Sequence, residues 1–372
     1  VSGRAPIVVH ALSRGALPLA ARVVAALGDA ELHVSERIAG AAPAGATVFP
    51  LPMKEALARS FHGRRGHVFV MAIGAVVRMI APLLRGKGTD PAVVCLDEAG
   101  RFAVPILSGH GGGANALAVR IAGAIGAQPV LTTASDVQGT IAVDLLGAEL
   151  GWRFEDPRGN ATRAAAAVVN GEPVAIVLGE GAPVEWPADW PLPPHATICD
   201  ALDEPACRGA EALLVVTDRT VCCDEPALAR AVLYRPRSLV LGIGCDRGAP
   251  ADLVDRGVEA LLAGHGLSPG SIRELATVDL KADEPALLAL STRLGAPLRT
   301  FPAAELDATP GMENPSERVA RLVGTRGVAE PAALRAAGQA RLLVAKQVYT
   351  EPGAGRSMTL AVARAAGTRS GG

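Results

Sequence analysis

Short β-branched runs alternate with alanine-rich helical stretches through the first third of this chain, and that rhythm narrows its fold more than any other feature. The runs "IVVH" (7–10), "ELHVS" (31–35), "TVFP" (47–50) and "HVFVMA" (67–72) read as strands, and "LPLAARVVAAL" between the first two has helical periodicity. Alternating strand and helix points to a parallel, doubly wound α/β sheet. Two further β-rich runs follow in "PAVVCLDEAGRFAVPIL", separated by Asp97, Glu98, Ala99 and Gly100. They read as a hairpin in which Gly100 supplies the positive φ of the turn.

The second hairpin strand feeds directly into "LSGHGGGAN" (107–115), and a helical pattern starts at about Ala114. Strand, glycine loop and helix N-terminus in succession form a place where unpaired amides and the helix dipole attract an anion. Lacking Cβ atoms, Gly109, Gly111, Gly112 and Gly113 let a bulky ligand reach the backbone. The same glycines would also permit close packing of helix on sheet and nothing more. His110 lies inside the loop, where a side chain can reach a ligand, although a lone histidine is often structural.

After "PVLTTASD" (129–136) the texture changes. The proline-rich stretch "EGAPVEWPADWPLPPHA" (180–196) carries Trp186 and Trp190 and reads as a long irregular loop between the strands "PVAIVL" and "ALLVVT". A last boundary falls near "LYRPRS", before "LVLGIGC" opens a new strand. From there strands and helices alternate, two helices follow a third strand, and "RLLVAKQVY" and "SMTLAVARA" close the pattern. The expected architecture is multi-domain α/β. An N-terminal doubly wound, mostly parallel sheet occupies 1–128, a middle domain 129–235, and a C-terminal α/β domain 236–372, as a length of 372 residues requires.

Hydrophobic residues make up 49% of the chain but aromatics only 3%, which favours close α/β layers of small side chains. Lysine plus arginine (36) nearly balances aspartate plus glutamate (37), and no polybasic block occurs. Nucleic acid and membrane surfaces therefore have no electrostatic footprint here. The six cysteines contain no C-x-x-C pair, so reduced, mostly buried thiols are expected. The stretch "VSGRAPIVVHALSRG" lacks the apolar core of a signal peptide, and no apolar run is long enough to span a bilayer. A soluble, cytoplasmic protein is expected.

Familiar motifs are mostly excluded. No Walker loop occurs, and "GIGCDRG" (242–248) places its third glycine one residue late for a dinucleotide fingerprint. "HGGG" (110–113) matches an esterase oxyanion loop, and "GLSPG" (266–270) formally fits G-x-S-x-G. Ser268, however, follows a helical pattern and precedes a strand, and Pro269 lacks the N–H that the residue after a nucleophile must donate. No histidine or cysteine pair has metal-ligand spacing, so no protein-held metal is expected. Cys245 and Asp246 follow one C-terminal strand, and Lys281, Asp283 and Glu284 follow another, where an open sheet would line a crevice. Acids there also suit a solvated helix start. Glu330 and Lys346 are polar residues in apolar surroundings, and an acidic substrate would be one partner for the lysine.

The segments "MAIGAVVRMIAP" (71–82), "GKGTDPAVVCLDEAGRF" (86–102), "LSGHGGGAN" and "PVLTTASD" resemble the cobalt-precorrin-5A hydrolase family of cobalamin biosynthesis. "NGEPV" (170–174) resembles that family's middle region, and "LGIGC", "ATVDLKADE", "GVAEPAAL" and "LLVAKQVY" its C-terminal domain. The chain departs from the family at Asp246, where a basic residue is commoner.

This resemblance implies a hydrolase that opens the δ-lactone of a ring-contracted cobalt corrinoid with water and releases acetaldehyde. It implies no cofactor, because cobalt arrives inside the substrate. Neighbouring pathway methyltransferases become candidate partners. A non-catalytic carrier of the corrinoid is the alternative. For catalysis it points to His110 as a base, Asn115 orienting water or a carboxylate, and the amides of Gly111, Gly112 and Gly113 stabilising an oxyanion. For substrate binding it points to Arg78, Lys87, Asp90, Ser108, Gly109, Thr132, Thr133 and Asp136, and, in the C-terminal domain, to Cys245, Lys281, Glu284, Glu330 and Lys346.

Overall fold

The computed structural model describes residues 6–86, 88–221, 225–351 and 356–366, so Lys87, Cys222 and Cys223 lie outside the described residues. The chain divides into two compact units, Val1–Leu145 and Leu146–Gly372. In the first unit the elements are β1 (Ile7–Ala11), α1 (Ala16–Leu27), β2 (Ala30–Ser35), β3 (Thr47–Phe49), α2 (Met53–Ser60), β4 (Gly66–Val70) and α3 (Ile73–Ile80). There follow β5 (Ala92–Leu96), β6 (Phe102–Leu107), α4 (Ala114–Ile125), β7 (Gln128–Pro129) and α5 (Ala134–Gln138).

These strands form one sheet in the order β3-β2-β1-β4-β5-β6-β7. Every pairing is parallel except β5 with β6. Successive side chains point to opposite faces, so each central strand feeds two cores. Val68 and Val94 pack with α1 and α4 on one face, whereas Phe69, Val93 and Cys95 pack with α2 and α3 on the other. This is the doubly wound sheet that the strand–helix rhythm predicts.

The β5–β6 hairpin closes as expected at Gly100, whose φ is +65° and whose amide donates to Asp97 O at 2.9 Å. Asp97 Oδ1 accepts from the amides of Arg101 and Phe102, each at 2.8 Å. Because β6 runs against its neighbour, its end lies at the edge of the sheet where β4 and β5 begin. The register shifts just before that end, with Val94 opposite Pro105 but Val93 opposite Leu107, which leaves Ile106 as a bulge.

The second unit holds two sheets. The first comprises β8 (Arg153–Glu155), α6 (Ala161–Asn170), β9 (Val174–Leu178), β10 (Ala196–Cys199), α7 (Pro205–Gly209), β11 (Ala212–Val216), α8 (Glu225–Leu228) and β12 (Ala231–Arg235). Its order is β10-β9-β11-β12-β8, antiparallel only at β8. The second comprises β13 (Leu239–Cys245), α9 (Ala251–Gly264), β14 (Ile272–Val278), α10 (Pro285–Leu294), β15 (Leu298–Phe301) and α11 (Ala303–Asp307). It continues with α12 (Glu317–Val323), α13 (Ala329–Ala337), β16 (Val344–Thr350) and β17 (Ser357–Arg364), in the strand order β15-β14-β13-β17-β16. Three helices separate β15 from β16 where two are predicted, because Pro302 starts the short α11 before α12 begins.

Two devices organise this unit. Trp186 and Trp190 pack edge-to-face in the proline-rich loop, and Trp190 does the same with Trp152, so all three tryptophans of the chain form one small core. Arg364 of β17 reaches the buried Asp218, donating Nε to Oδ2 at 2.8 Å, and pairs with Glu180 at 2.7 Å. That pairing ties the two sheets together.

A buried histidine pair sits in the first unit between Phe61 and Phe69. His67 Nε2 lies 3.1 Å from the Phe61 carbonyl and must donate to it, so Nδ1 accepts from His10 Nε2 at 3.0 Å. The remaining nitrogen, His10 Nδ1, has no partner among the described residues and holds no proton. Burial, reinforced by Arg64 and His33, holds His10 well below the ordinary histidine range and lowers His67 to about 4; His62 also opposes charge on His67. Unfolding restores a value of about 6.5. Below that pH the unfolded chain takes up protons that the folded chain refuses, so stability present above pH ~6.5 is lost as pH falls toward about 4. Urea denaturation should show the unfolding free energy dropping by up to about 1.4 kcal/mol per pH unit per histidine between pH ~6.5 and ~5. A constant midpoint across that window would contradict this assignment.

Candidate active site

Four glycines surround His110, and the backbone geometry explains three of them. A Cβ on Gly109 would lie 2.8 Å from Asn115 Oδ1, one on Gly112 would collide with Ser108 Cβ, and Gly113 has φ +85°. Gly111 is different, because a Cβ there meets nothing within 4 Å. Ser108 itself has φ +57°, unusual for a residue with a side chain, and its hydroxyl donates to Asp90 O at 3.0 Å.

The loop keeps much of its own hydrogen-bonding capacity. The amides of Ala114 and Asn115 donate to Ser108 O and Gly109 O at 3.0 and 2.9 Å, and that of Gly113 to His110 O at 2.7 Å. This corrects one expectation. Gly113 closes a turn and cannot serve an oxyanion, whereas the amides of Gly111 and Gly112 have no acceptor among the described residues.

His110 is fixed at both ring nitrogens. Nδ1 lies 3.0 Å from Asp144 Oδ1, while Nε2 faces Asp136 Oδ2 and Ser135 Oγ, each at 3.2 Å. The side chain of His110 is 13% exposed, whereas Asp136 and Asp144 are 31% and 37% exposed, so the cluster opens toward solvent at its acids. The segment that supplies Ser135 and Asp136 runs beside β6 because β7 pairs parallel to it, with Val130 N donating to Ala103 O at 2.9 Å.

Asn115 is buried, and its Nδ2 donates to Thr133 Oγ1 at 2.9 Å and Asp136 Oδ2 at 2.6 Å. Both amide hydrogens are thus committed, so of the two expected roles, orienting water or a carboxylate, the contacts match the second: Asn115 holds the Asp136 carboxylate and braces the 133–136 segment. Thr132 is exposed and joins none of these contacts. Sequence reasoning missed two members, Ser135 and Asp144. The signal for Asp144 was a single acid inside the apolar run "IAVDLLG".

The remaining expected binding residues divide. Arg78 is exposed on the last turn of α3 and has no ion-pair partner among the described residues. Asp90 is buried, and its carboxylate accepts the amides of Arg85 (2.9 Å) and Gly86 (3.1 Å), so it shapes the loop before β5 and offers little to a ligand. In the second unit, Cys245, Lys281 and Glu284 do meet past the ends of β13 and β14. Glu284 is buried, accepts Gly248 N at 2.9 Å and lies 3.4 Å from Lys281 Nζ. Burial pushes the Cys245 thiol up to about 11 against the opposing pull of Lys281, so it stays protonated.

Glu330 is a correction. Its buried carboxylate accepts from the amides of Glu313, Asn314 and Lys346 and from Asn314 Nδ2, all at 2.8–2.9 Å, which leaves no capacity for substrate. Lys346 Nζ likewise donates to Asn314 O. Asp246 Oδ2 accepts Ser357 N at 2.8 Å, a structural link to β17. In "GIGC" a Cβ on Gly242 would collide with the Ala329 carbonyl, so that glycine admits α13 and no nucleotide. Among the described residues no group of three or more His, Cys, Asp or Glu is placed to hold a metal ion.

A doubly wound unit that sets a carboxylate-oriented imidazole beside two open amides has the equipment of an acyl-bond hydrolase. Three family models match in chain order: Cobalamin synthesis G N-terminal over residues 55–136, Cobalamin biosynthesis central region over 141–236 and Cobalamin synthesis G C-terminus over 239–363. A cobalt-precorrin-5A hydrolase of Priestia megaterium is 40% identical over 288 residues, covering 77% of this chain and 76% of that protein. One from Salmonella typhimurium is 34% identical, covering 72% and 74% respectively. The solved structure of CobE, a protein from the cobalamin biosynthetic pathway, is 35% identical over 36% of this chain and 94% of that one, with a TM-score of 0.31. The chain belongs to the cobalt-precorrin-5A hydrolase family.

The glycine geometry predicts opposite outcomes at neighbouring positions. Gly112→Ala should destabilise the protein by about 1–3 kcal/mol through overpacking against Ser108. Gly111→Ala should stay within about 0.5 kcal/mol of the parent. Thermal denaturation of the two variants tests this, and equal losses would refute it.

Proposed function

We propose that this protein opens the δ-lactone of cobalt-precorrin-5A with water and releases acetaldehyde, giving cobalt-precorrin-5B. The observation that carries this reading is the 40% identity, over three quarters of both chains, to a cobalt-precorrin-5A hydrolase. Cobalt enters as part of the substrate. The pathway's neighbouring methyltransferases are the proposed source and destination of the intermediate. No described helix is long and apolar enough to cross a membrane, and a cytoplasmic site of action accords with the reading.

The geometry suits the chemistry. Asp144 accepts the Nδ1 proton of His110, which leaves Nε2 as the basic nitrogen. Attack on the lactone carbonyl develops an oxyanion, and the amides of Gly111 and Gly112, which have no acceptor among the described residues, can receive it. Breaking the lactone leaves a hydroxyl on the two-carbon fragment. Its deprotonation drives cleavage of the adjoining carbon–carbon bond, whose electron pair passes into the conjugated macrocycle as acetaldehyde departs. Asp136, beside Nε2, stabilises the imidazolium that forms.

The substrate is a broad apolar macrocycle with an acidic rim, and the first unit offers a matching surface. Ile73 and Val77 on α3 and Phe102 on β6 are exposed at 40%, 47% and 40%. No helix follows β5 to cover this side of β6, because the hairpin replaces a crossover. Arg78 and Arg85 of the same unit are exposed and suit carboxylates.

His110→Ala should cut acetaldehyde release from the lactone by about 10²–10⁴-fold while the protein still binds the corrinoid. Turnover at the parental rate would remove His110 from the chemistry. Binding by the parent protein without any aldehyde would favour the carrier alternative.

A further inference from the structure

We infer that Ser135 is the nucleophile of this site, so that the lactone is opened through an acyl-enzyme. The inference rests on the hydrolase reading above and assigns it a covalent step. Ser135 Oγ lies 3.2 Å from His110 Nε2, and His110 Nδ1 lies 3.0 Å from Asp144 Oδ1. That is the serine–histidine–aspartate order of contacts, assembled from three separate segments of one unit.

Hydrogen-bonding capacity sets what each group can do. An ionised carboxylate can only accept, so Asp144 takes the Nδ1 proton and Asp136 can take one from Nε2. In the neutral tautomer with its proton on Nδ1, Nε2 carries a lone pair, and of the two groups facing it only the Ser135 hydroxyl can donate. Asp136 Oδ2 already accepts from Asn115 Nδ2 at 2.6 Å and lies 3.2 Å from Nε2, where it can accept a proton that Nε2 carries. Ser135 is held by the backbone around it: Thr140 N donates to its carbonyl at 3.0 Å, and α5 ends at Gly139 with φ +61°. Ser268, the serine in the G-x-S-x-G match, is buried and accepts Gly270 N at 3.2 Å, with no histidine contact among the described residues.

The step balances. The Ser135 proton passes to His110 Nε2 as Oγ bonds to the lactone carbonyl carbon, with the oxyanion at the Gly111 and Gly112 amides. Collapse breaks the bond from that carbon to the ring oxygen, which leaves with the electron pair and takes the proton from His110. Water, deprotonated at Nε2, then attacks the Ser135 ester, and Oγ departs and regains a proton. One water is consumed, a carboxylate and a hydroxyl result, and no oxidant or reductant is needed. The hydroxyl-bearing carbon then leaves the ring as the carbonyl carbon of acetaldehyde, as before.

Three measurements test the assignment. With lactone substrate, Ser135→Ala should lower acetaldehyde release by at least about 10³-fold with little change in KM. Acid-quenched parent enzyme should carry a substrate-mass adduct on the peptide containing Ser135. Without substrate, a fluorophosphonate probe should label Ser135 in the parent protein and fail to label His110→Ala. Ser135→Ala turnover within ten-fold of the parent, beside a His110→Ala loss, would overturn the nucleophile and leave direct attack by water. Labelling of Ser135 in a protein that releases no acetaldehyde would uphold the nucleophile and overturn the substrate. Absence of both label and adduct would overturn the inference.

Discussion

The reversal of β6 is the constraint on which the site depends. Were β5 followed by a crossover helix, the next strand would run parallel and deliver its loop to the carboxyl edge of the sheet. Gly100 and the Asp97 carboxylate close a tight turn there. The chain then returns along β5 and arrives at the opposite edge, beside the loop that Asp90 shapes. The short β7 then pairs parallel to β6 and sends the residues after it to the same place. The loop histidine and the serine and acids that engage it therefore meet away from the edge where a doubly wound sheet ordinarily binds its ligands.

Much of this was legible in the sequence, and the reason is local. Strand runs, the α1 periodicity and the Gly100 turn depend on neighbouring residues, and each is found where the pattern places it. The site was legible only as a neighbourhood. "SGHGGGAN" and "TTASD" announce unusual backbone, but nothing in their spacing says that Ser135 and Asp136 share one ring nitrogen of His110 or that Asp144 holds the other. Those contacts follow from the sheet order, which composition and periodicity do not encode. G-x-S-x-G points to Ser268 because it is a contiguous signature, whereas this constellation has none.

The glycines show how one composition can carry two meanings. At Gly109, Gly112 and Gly113 the protein's own atoms or its backbone angles exclude a side chain, so these residues explain themselves without a ligand. Gly111 meets neither constraint, and its amide, like that of Gly112, lacks an acceptor among the described residues. An anion-binding loop read from glycine count alone would have assigned all of them the same task.

Unused hydrogen-bonding capacity separates the polar residues that build the fold from those able to act on a substrate. The Glu330 carboxylate accepts four bonds from its own chain, and Asp90 and Asp246 are likewise engaged by backbone amides. Such groups shape loops, and removing any of them would take an acceptor from the backbone amides it holds. His10 and His67 are held neutral for the same reason, since a proton on His10 Nδ1 would find no acceptor. His110 differs on both counts. Its acids are a third exposed, and the surroundings offer a partner to the ring in either protonation state: a serine hydroxyl when Nε2 is bare, a carboxylate when it is protonated. An imidazole that can gain and lose a proton without stranding a neighbour is the physical requirement for moving protons through a reaction, and among these histidines only the one in the glycine loop meets it.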